Sequence, residues 1–468
     1  LRTLGEIGSF LLEQAGGNME SESENGMQVS AEEPAQPSTS SKKKVAPHNL
    51  ELRNAHLVNI PMPDALEMKH TGKVILADSS SELGKAVGIQ LQKLGYDVNT
   101  IDLTGSEGAD FPMKTATKDA AKEVIDAILQ QTPLSGFIYI HHSSVKDNET
   151  DLLLLKKAFL LATQIDGNWS DQERPFYIGI SQIDGNCGMK NNTGTSALGG
   201  GISGLVKSLN REWPEVFCRS IDIAPGLTAK NASAYIVREL SDANQKITEV
   251  AIQENGRYTW DEQEDAPKAG NVYAWEKEVF LVTGGARGVT ADCIKALANR
   301  KKGTFLLLGR SQNDFIEPQE FQNVTEEKEI KRMLMEQMIS KGEKPEIETL
   351  ESSYRKIIAS REINHTISTL TSLGSECAYY SLDVTDNKAC ARLIPELEKK
   401  HGKITALIHG AGQLSDKSIA DKTEADFDKV VHPKVLGLIN MLEYLDAKSL
   451  KGIVCFSSVA GFYGNTGQ

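Results

Sequence analysis

The sequence lacks any run of about 18 apolar residues, so no membrane span is expected. It also lacks paired cysteines. Cys187, Cys218, Cys293, Cys377, Cys390 and Cys455 are scattered, with no CxxC spacing. They read as reduced, mostly buried thiols of an intracellular, cytoplasmic protein. Positive charge is not in excess: 51 Lys and Arg stand against 64 Asp and Glu, a formal net charge of -13. That balance argues against nucleic acid or an anionic membrane as a partner. The chain opens on Leu1 without a signal-peptide layout and closes on Gly467-Gln468 just after a strand and a Gly-rich turn. Both ends look cut, and a longer parent polypeptide is expected.

What is present is a globular balance, with 40% hydrophobic and 25% charged residues. The 468 residues suffice for two to four domains. Residues 1–13 read as one amphipathic helix, with Thr3 and Glu6 at capping-box spacing and Leu4, Ile7 and Leu11 on one face. Residues 14–50, rich in Gly, Ser, Glu and Pro, read as a flexible linker ending near Lys42–Lys44. Two similar halves follow, over 51–270 and 271–468. Each opens with a strand, Lys73–Ala77 and Val279–Thr283, then a turn and a helix. FIYIHHSS (137–144) parallels ALIHGAG (406–412), and FYIGISQIDGNCG (176–188) parallels GIVCFSSVAGFYG (452–464). Matched landmarks in one order point to duplicated α/β units, two tandem Rossmann-like, doubly wound parallel sheets, the second truncated at its C-terminal end. Residues 312–372 interrupt the second half. They read as a helical, solvated surface insertion rather than part of a binding site.

The chemistry-bearing motifs lie in the second half. Thr283-Gly284-Gly285-Ala286-Arg287-Gly288-Val289 joins a strand to a helix. Glycines there let the backbone turn sharply and approach a pyrophosphate at the helix N-terminus. Thr290 departs from the glycine spacing and is expected to cost some closeness of helix and strand. In the first half Asp78, Ser79, Ser80 and Ser81 replace the glycines, so that half is expected not to bind a phosphate. Arg310 and Ser311 follow the second strand, where an NAD site places an acid. A guanidinium and a hydroxyl suit a 2′-phosphate, and Arg287 adds a second cation, so NADPH is favoured over NADH. Asp383, followed by Val384, closes the third strand and can accept from an adenine amino group or cap the next helix. His409-Gly410-Ala411-Gly412 follows the fourth strand; the small residues admit a cofactor, and His409 reads as packed at the strand end. No second ligand accompanies it, so no metal is expected. Ser458, after a strand, can hold a carbonyl oxygen, and Lys434 can lower the pKa of a neighbouring acid.

Taken in order, TGGARGVT, LLGRS, LDVTD, HGAG, HPKVLGLINM and FSSVAGFYGNTGQ resemble the catalytic subdomain of ketoreductases from modular polyketide or polyunsaturated fatty acid synthases, in the short-chain dehydrogenase/reductase superfamily. Residues 68–262 resemble their preceding structural subdomain, a degenerate copy that binds no cofactor. Residues 1–13 resemble the last helix of an acyl carrier protein. The resemblance implies NADPH-dependent reduction of a carrier-bound 3-oxoacyl thioester to a 3-hydroxyacyl thioester. It implies Ser458 and Lys434 as catalytic residues, with the family's tyrosine falling three residues past Gln468, so the chain alone is expected to be inactive. It links Asp416, in Leu414-Ser415-Asp416, to a D-type product. It also implies phosphopantetheine on the upstream carrier, and ketosynthase, acyltransferase and dehydratase neighbours. The alternative is a non-catalytic structural or docking module that binds the dinucleotide at most.

Overall fold

In the computed structural model, residues 53–468 are described apart from 65, 69–70, 79–80, 106–109, 142–146, 172–173, 191–196, 265–276, 313–316, 343 and 345. The expected carrier helix and linker over 1–50 lie outside the described residues.

The first half starts with β1 (Arg53–Ile60), β2 (Lys73–Asp78), α1 (Glu82–Leu94), β3 (Asp97–Asp102), β4 (Phe111–Pro112), α2 (Lys118–Leu129) and β5 (Leu134–Ile140). It continues through α3 (Asn148–Ile165), β6 (Phe176–Ser181), α4 (Gly200–Glu212), β7 (Phe217–Ile223), α5 (Ala229–Leu240), β8 (Glu249–Gln253) and β9 (Gly256–Glu264). Its nine strands run in the order β1-β9-β8-β7-β6-β5-β2-β3-β4. From β4 to β8 all neighbours are parallel, while β9 pairs antiparallel with both β8 and β1. The expected parallel, Rossmann-like sheet is present, and β9 and β1 extend it antiparallel at one edge. A two-residue turn after β8 leaves no room for a crossover helix, so the chain must return antiparallel. The central strands read as near-continuous apolar runs because helices cover both faces. Ile75, Phe137, Tyr177 and Cys218 pack under one face, and Val74, Ile138, Ile178 and Ile221 under the other.

The second half has β10 (Glu278–Thr283), α6 (Gly288–Arg300), β11 (Gly303–Gly309), α7 (Glu327–Ser340), α8 (Ile347–Ser372), β12 (Glu376–Ser381), α9 (Asn387–His401) and β13 (Ala406–His409). After these come α10 (Glu424–Val431), a π-helical turn at His432–Leu436, α11 (Gly437–Tyr444), β14 (Gly452–Cys455) and α12 (Val459–Tyr463). Its order, β12-β11-β10-β13-β14, is parallel throughout and repeats β4-β3-β2-β5-β6 of the first sheet. The three matched landmarks thus occupy equivalent strands. In both copies the chain reverses direction across the sheet beside the first strand, β2 or β10, and crevices for ligands form at that switch point.

Two expectations need correction. Residues 312–372 are not only a solvated insertion. Ile363 and Leu370 of α8 are buried against Phe280, Phe305 and Leu307 of the sheet, so the later part of α8 is the crossover helix between β11 and β12. Only Phe321, Ile330, Leu334 and Ile357 form a separate small core. The cysteines are not mostly buried either: Cys218 and Cys390 are, but Cys293 and Cys455 are exposed. Cys293 lies on the outer face of α6, whose buried residues are Thr290, Ala291, Ile294 and Ala298. Cys455 lies on β14, which is paired on one side only. Among the described residues no helix is long and apolar enough to cross a membrane.

Candidate active site

A cavity of about 940 Å³ opens at the carboxyl edge of the second sheet. That volume suits a cofactor-sized ligand. Its floor is the turn between β10 and α6. Gly284 and Gly288 adopt left-handed φ values of 66° and 62° that glycine alone takes without strain. A Cβ on Gly284 would come within 2.5 Å of the Gly410 carbonyl oxygen, whereas one on Gly288 would meet nothing within 4 Å. The first glycine lets two backbones touch, and the second leaves open space over the start of α6. The first N–H groups of a helix have no partner inside it and carry its positive end, so this space suits a pyrophosphate. Ala286, Arg287, Val289 and Thr290 also line it; Gly285 does not. A Cβ on Gly285 would meet Val282, so that glycine lets the turn pack onto its own strand.

Thr290 does not hold the helix away from the sheet. It is buried, and a Cβ on Gly410 would overlap its hydroxyl. The bulk moved from one partner to the other, and close packing is kept.

The contrast with the first half is electrostatic. Asp78 Oδ2 accepts from Ser81 N at 2.8 Å and Ser81 Oγ at 2.9 Å. A Cβ on Gly84 would overlap the same carboxylate oxygen. The protein's own anion thus sits at the N-terminus of α1, where a phosphate would otherwise go.

Arg310 and Ser311 follow β11 in the cavity wall. The Tyr379 hydroxyl donates to the Ser311 carbonyl at 2.8 Å and fixes this corner; burial pushes its pKa up. The Gln413 amide oxygen, turned towards Arg310, accepts from both terminal guanidinium nitrogens at 2.8 Å. Arg287 stands 3.8 Å from Glu362 of α8, both half exposed. Asp383 and Val384 line the cavity. One Asp383 oxygen accepts from Thr385 N at 2.9 Å and Thr385 Oγ at 2.8 Å, while Asp386 caps α9. Of the two uses expected for Asp383, capping that helix is therefore excluded.

Gly410, Ala411 and Gly412 line the cavity, but Thr283 and His409 do not. Both are buried behind it. Thr283 Oγ accepts from Ala411 N at 3.1 Å and lies 2.9 Å from His409 Nδ1, with which it shares a hydrogen bond. His409 Nε2 then donates to the Lys434 carbonyl at 3.0 Å. Burial lowers the His409 pKa and favours the neutral ring. Thr283 and His409, at their strand ends, are buried supports of the wall rather than part of its lining. Lys434 lies in the π-helical turn, a distortion common at functional sites. A Cβ on Gly412 would lie 3.3 Å from its Cε and 3.6 Å from its Nζ. Ser458 is exposed just past β14 and accepts from Ala460 N at 3.1 Å, capping α12. Asp416 is exposed and outside the cavity wall.

Sequence reasoning missed Tyr354, Ile358, Glu362, Tyr379 and Gln413, all in the wall. No local motif marks them, though α8 spaces Tyr354, Ile358 and Glu362 four apart, as one helix face requires.

The geometry defines a Rossmann-like α/β domain with a ligand-sized cavity at its topological switch point. Residues 279–468 match the family model of the KR domain. The chain is 30% identical over 453 residues to a polyunsaturated fatty acid synthase polypeptide of Thraustochytrium sp., covering 90% of this chain and 16% of that protein. It is 32% identical over 93 residues to the 3-oxoacyl-[acyl-carrier-protein] reductase FabG of Thermotoga maritima, covering 19% of this chain and 38% of that one. Among solved structures, A-type ketoreductases from a modular polyketide synthase superpose with a TM-score of 0.64 at 18% identity, covering 89% of this chain and 76% of theirs. Residues 279–468 are thus a ketoreductase domain of the kind found in polyketide and polyunsaturated fatty acid synthases. The chain spans about a sixth of the length of the synthase polypeptide it matches.

Proposed function

We propose that this chain forms the cofactor-binding part of an NADPH-dependent reductase of 3-oxoacyl thioesters carried on an acyl carrier protein. The observation that carries the reading is one cavity joining the open start of α6 to Arg310 and Ser311, with no acid at the end of β11. When bound, the reduced nicotinamide supplies a hydride. The N–H groups of α6 receive the pyrophosphate, and Arg310, Ser311 and Arg287 hold the 2′-phosphate. Asp383 accepts from the adenine amino group with its remaining capacity. Ser458 accepts from Ala460 N, which leaves its own proton to donate to the ketone oxygen as charge develops there. Such a donor is worth roughly 3 kcal/mol in the transition state. Lys434 supplies a positive charge beside the HGAG turn and favours ionisation of the group that gives up the proton. Asp416 bears on the handedness of the alcohol.

Titrating the chain with NADPH and with NADH, followed by nucleotide fluorescence, tests the cofactor. Arg310→Asp is expected to weaken NADPH by about 10- to 100-fold, the loss of a charge-assisted pair, and to leave NADH nearly unchanged. Equal weakening of both would overturn the 2′-phosphate assignment. A scaffold without turnover would bind equally well, so the chemistry is tested by Ser458→Ala in the parent polypeptide. Reduction within a few-fold of wild type would remove Ser458 from the mechanism.

A further inference from the structure

The crossover helices α6 and α9 have 13 and 15 residues, but α8 has 26. At 1.5 Å per residue α8 is about 39 Å long. The six-residue strand it leads into spans only about 20 Å. Its last residue, Ser372, turns through Gly374 into the start of β12, so its excess length lies beyond the carboxyl edge of the sheet. Thr366 marks the level of that edge, because its hydroxyl donates to the Ala286 carbonyl in the glycine turn at 2.9 Å. Residues N-terminal to Ile363, which still packs on the sheet, overhang the crevice.

A second cavity, of about 1120 Å³, lies under this overhang. It shares Arg287, Arg310, Ser311, Tyr354 and Ile358 with the first. Arg355 and Lys356 line only the second. Two acids, Glu348 and Glu351, line it as well, and Glu351 is ion-paired with Lys331. Arg355 and Lys356 have no ion-pair partner among the described residues. With Arg287 paired to Glu362, three unpaired cations, Arg310, Arg355 and Lys356, and one unengaged carboxylate, Glu348, face a space that continues from the Arg310 corner. Such an excess of one sign in a walled cavity attracts a multivalent anion. Tyr354 and Ile358, which line both cavities and pack on the small Phe321 core, add apolar wall between them.

We propose that the overhang of α8 closes the adenosine end of the cofactor site, with Arg355 a further cation of the 2′-phosphate subsite. The inference rests on the NADPH reading above. It makes cofactor choice a property of the segment between β11 and β12 as well as of Arg310.

The test titrates the full chain and R355E with NADPH, NADH, 2′,5′-ADP and ADP, by fluorescence and calorimetry. Arg355 is exposed, so R355E is expected to fold and melt like wild type. R355E is expected to weaken NADPH and 2′,5′-ADP about tenfold and to leave NADH and ADP within about twofold, the loss of one ionic contact. R355K, which keeps the charge, is expected to stay within about threefold of wild type for all four. Equal weakening of all four ligands by R355E overturns the proposal, because the helix would then only wall the site. No effect of R355E, while Arg310→Asp still discriminates, overturns the proposal and leaves the NADPH reading intact. Failure of wild type to bind either dinucleotide overturns both.

Discussion

At the scale of the residue, the buried chain from Ala411 through Thr283 and His409 to Lys434 is decided by one proton. Nε2 donates to the Lys434 carbonyl, and in the neutral ring that burial favours, Nδ1 is left to accept from Thr283 Oγ. Burial holds the pKa below its ordinary 6.5, so the unfolded chain binds this proton more readily than the folded one. Stability from this group is complete above that ordinary value and is lost as pH falls from there through the folded-state value. Urea unfolding at pH 7 and pH 5 is expected to show wild type losing more stability than His409→Gln over that interval. Identical losses would show that the ring does not sense pH. The sequence revealed that His409 packs at a strand end, because an imidazole between an apolar strand and a glycine turn has little else to do. It did not reveal the partners, which lie 126 and 25 positions away. Thr290 shows the same limit. A threonine in place of glycine looks like a loss of closeness until Gly410 is seen to yield the space.

At the scale of the element, strands and crossovers were legible because each half carries apolar runs punctuated by Gly-rich turns. The order of three landmarks sufficed to pair the two halves. β1 and β9 escaped notice. β1 is the edge strand and β9 its inner neighbour; both are half-solvated, and their burial alternates too weakly to separate them from linker. The helical segment before β12 was visible, but its reach was not. Charge-rich helices look alike whether they face water or hang over a crevice, and the difference depends on where the helix is anchored. That anchor includes the small core around Phe321. Phe321→Ala is expected to cost about 3–5 kcal/mol locally. Hydrogen exchange should then quicken over α7 and the first half of α8, while β10, β11 and β13 stay protected. Uniform loss of protection would instead mean that the insertion and the sheet unfold together.

At the scale of the whole molecule, the two halves are not beads on a string. Phe427 of α10 packs with Phe159 of α3 at a centroid distance of 5.2 Å and joins the first half's core. Lys156 meets Asp428 at 2.8 Å, and Lys118 N donates to Glu424. Lys118 Nζ donates to the Ala420 carbonyl at 2.7 Å. Glu212, at the end of α4, accepts from Ile419 N at 2.7 Å and Gly467 N at 2.9 Å. The segment held in this way begins just after Asp416. It is tied further by Lys422, which donates to the Ser415 carbonyl at 2.9 Å. A half whose own phosphate site is filled by Asp78 therefore grips the loop to which the proposed function assigns stereochemistry. Glu212→Gln in the parent polypeptide is expected to leave NADPH affinity unchanged and to alter the ratio of the two alcohol enantiomers, read by chiral chromatography. An unchanged ratio would show that the loop keeps its position without this clamp.

The carboxylate of Asp78 has a consequence that reaches beyond binding. A helix start occupied by a tethered side chain cannot be emptied by dilution, washing or competition. The first half is thus a permanently liganded twin, able to serve as a fixed jig beside the open cavity of its sister.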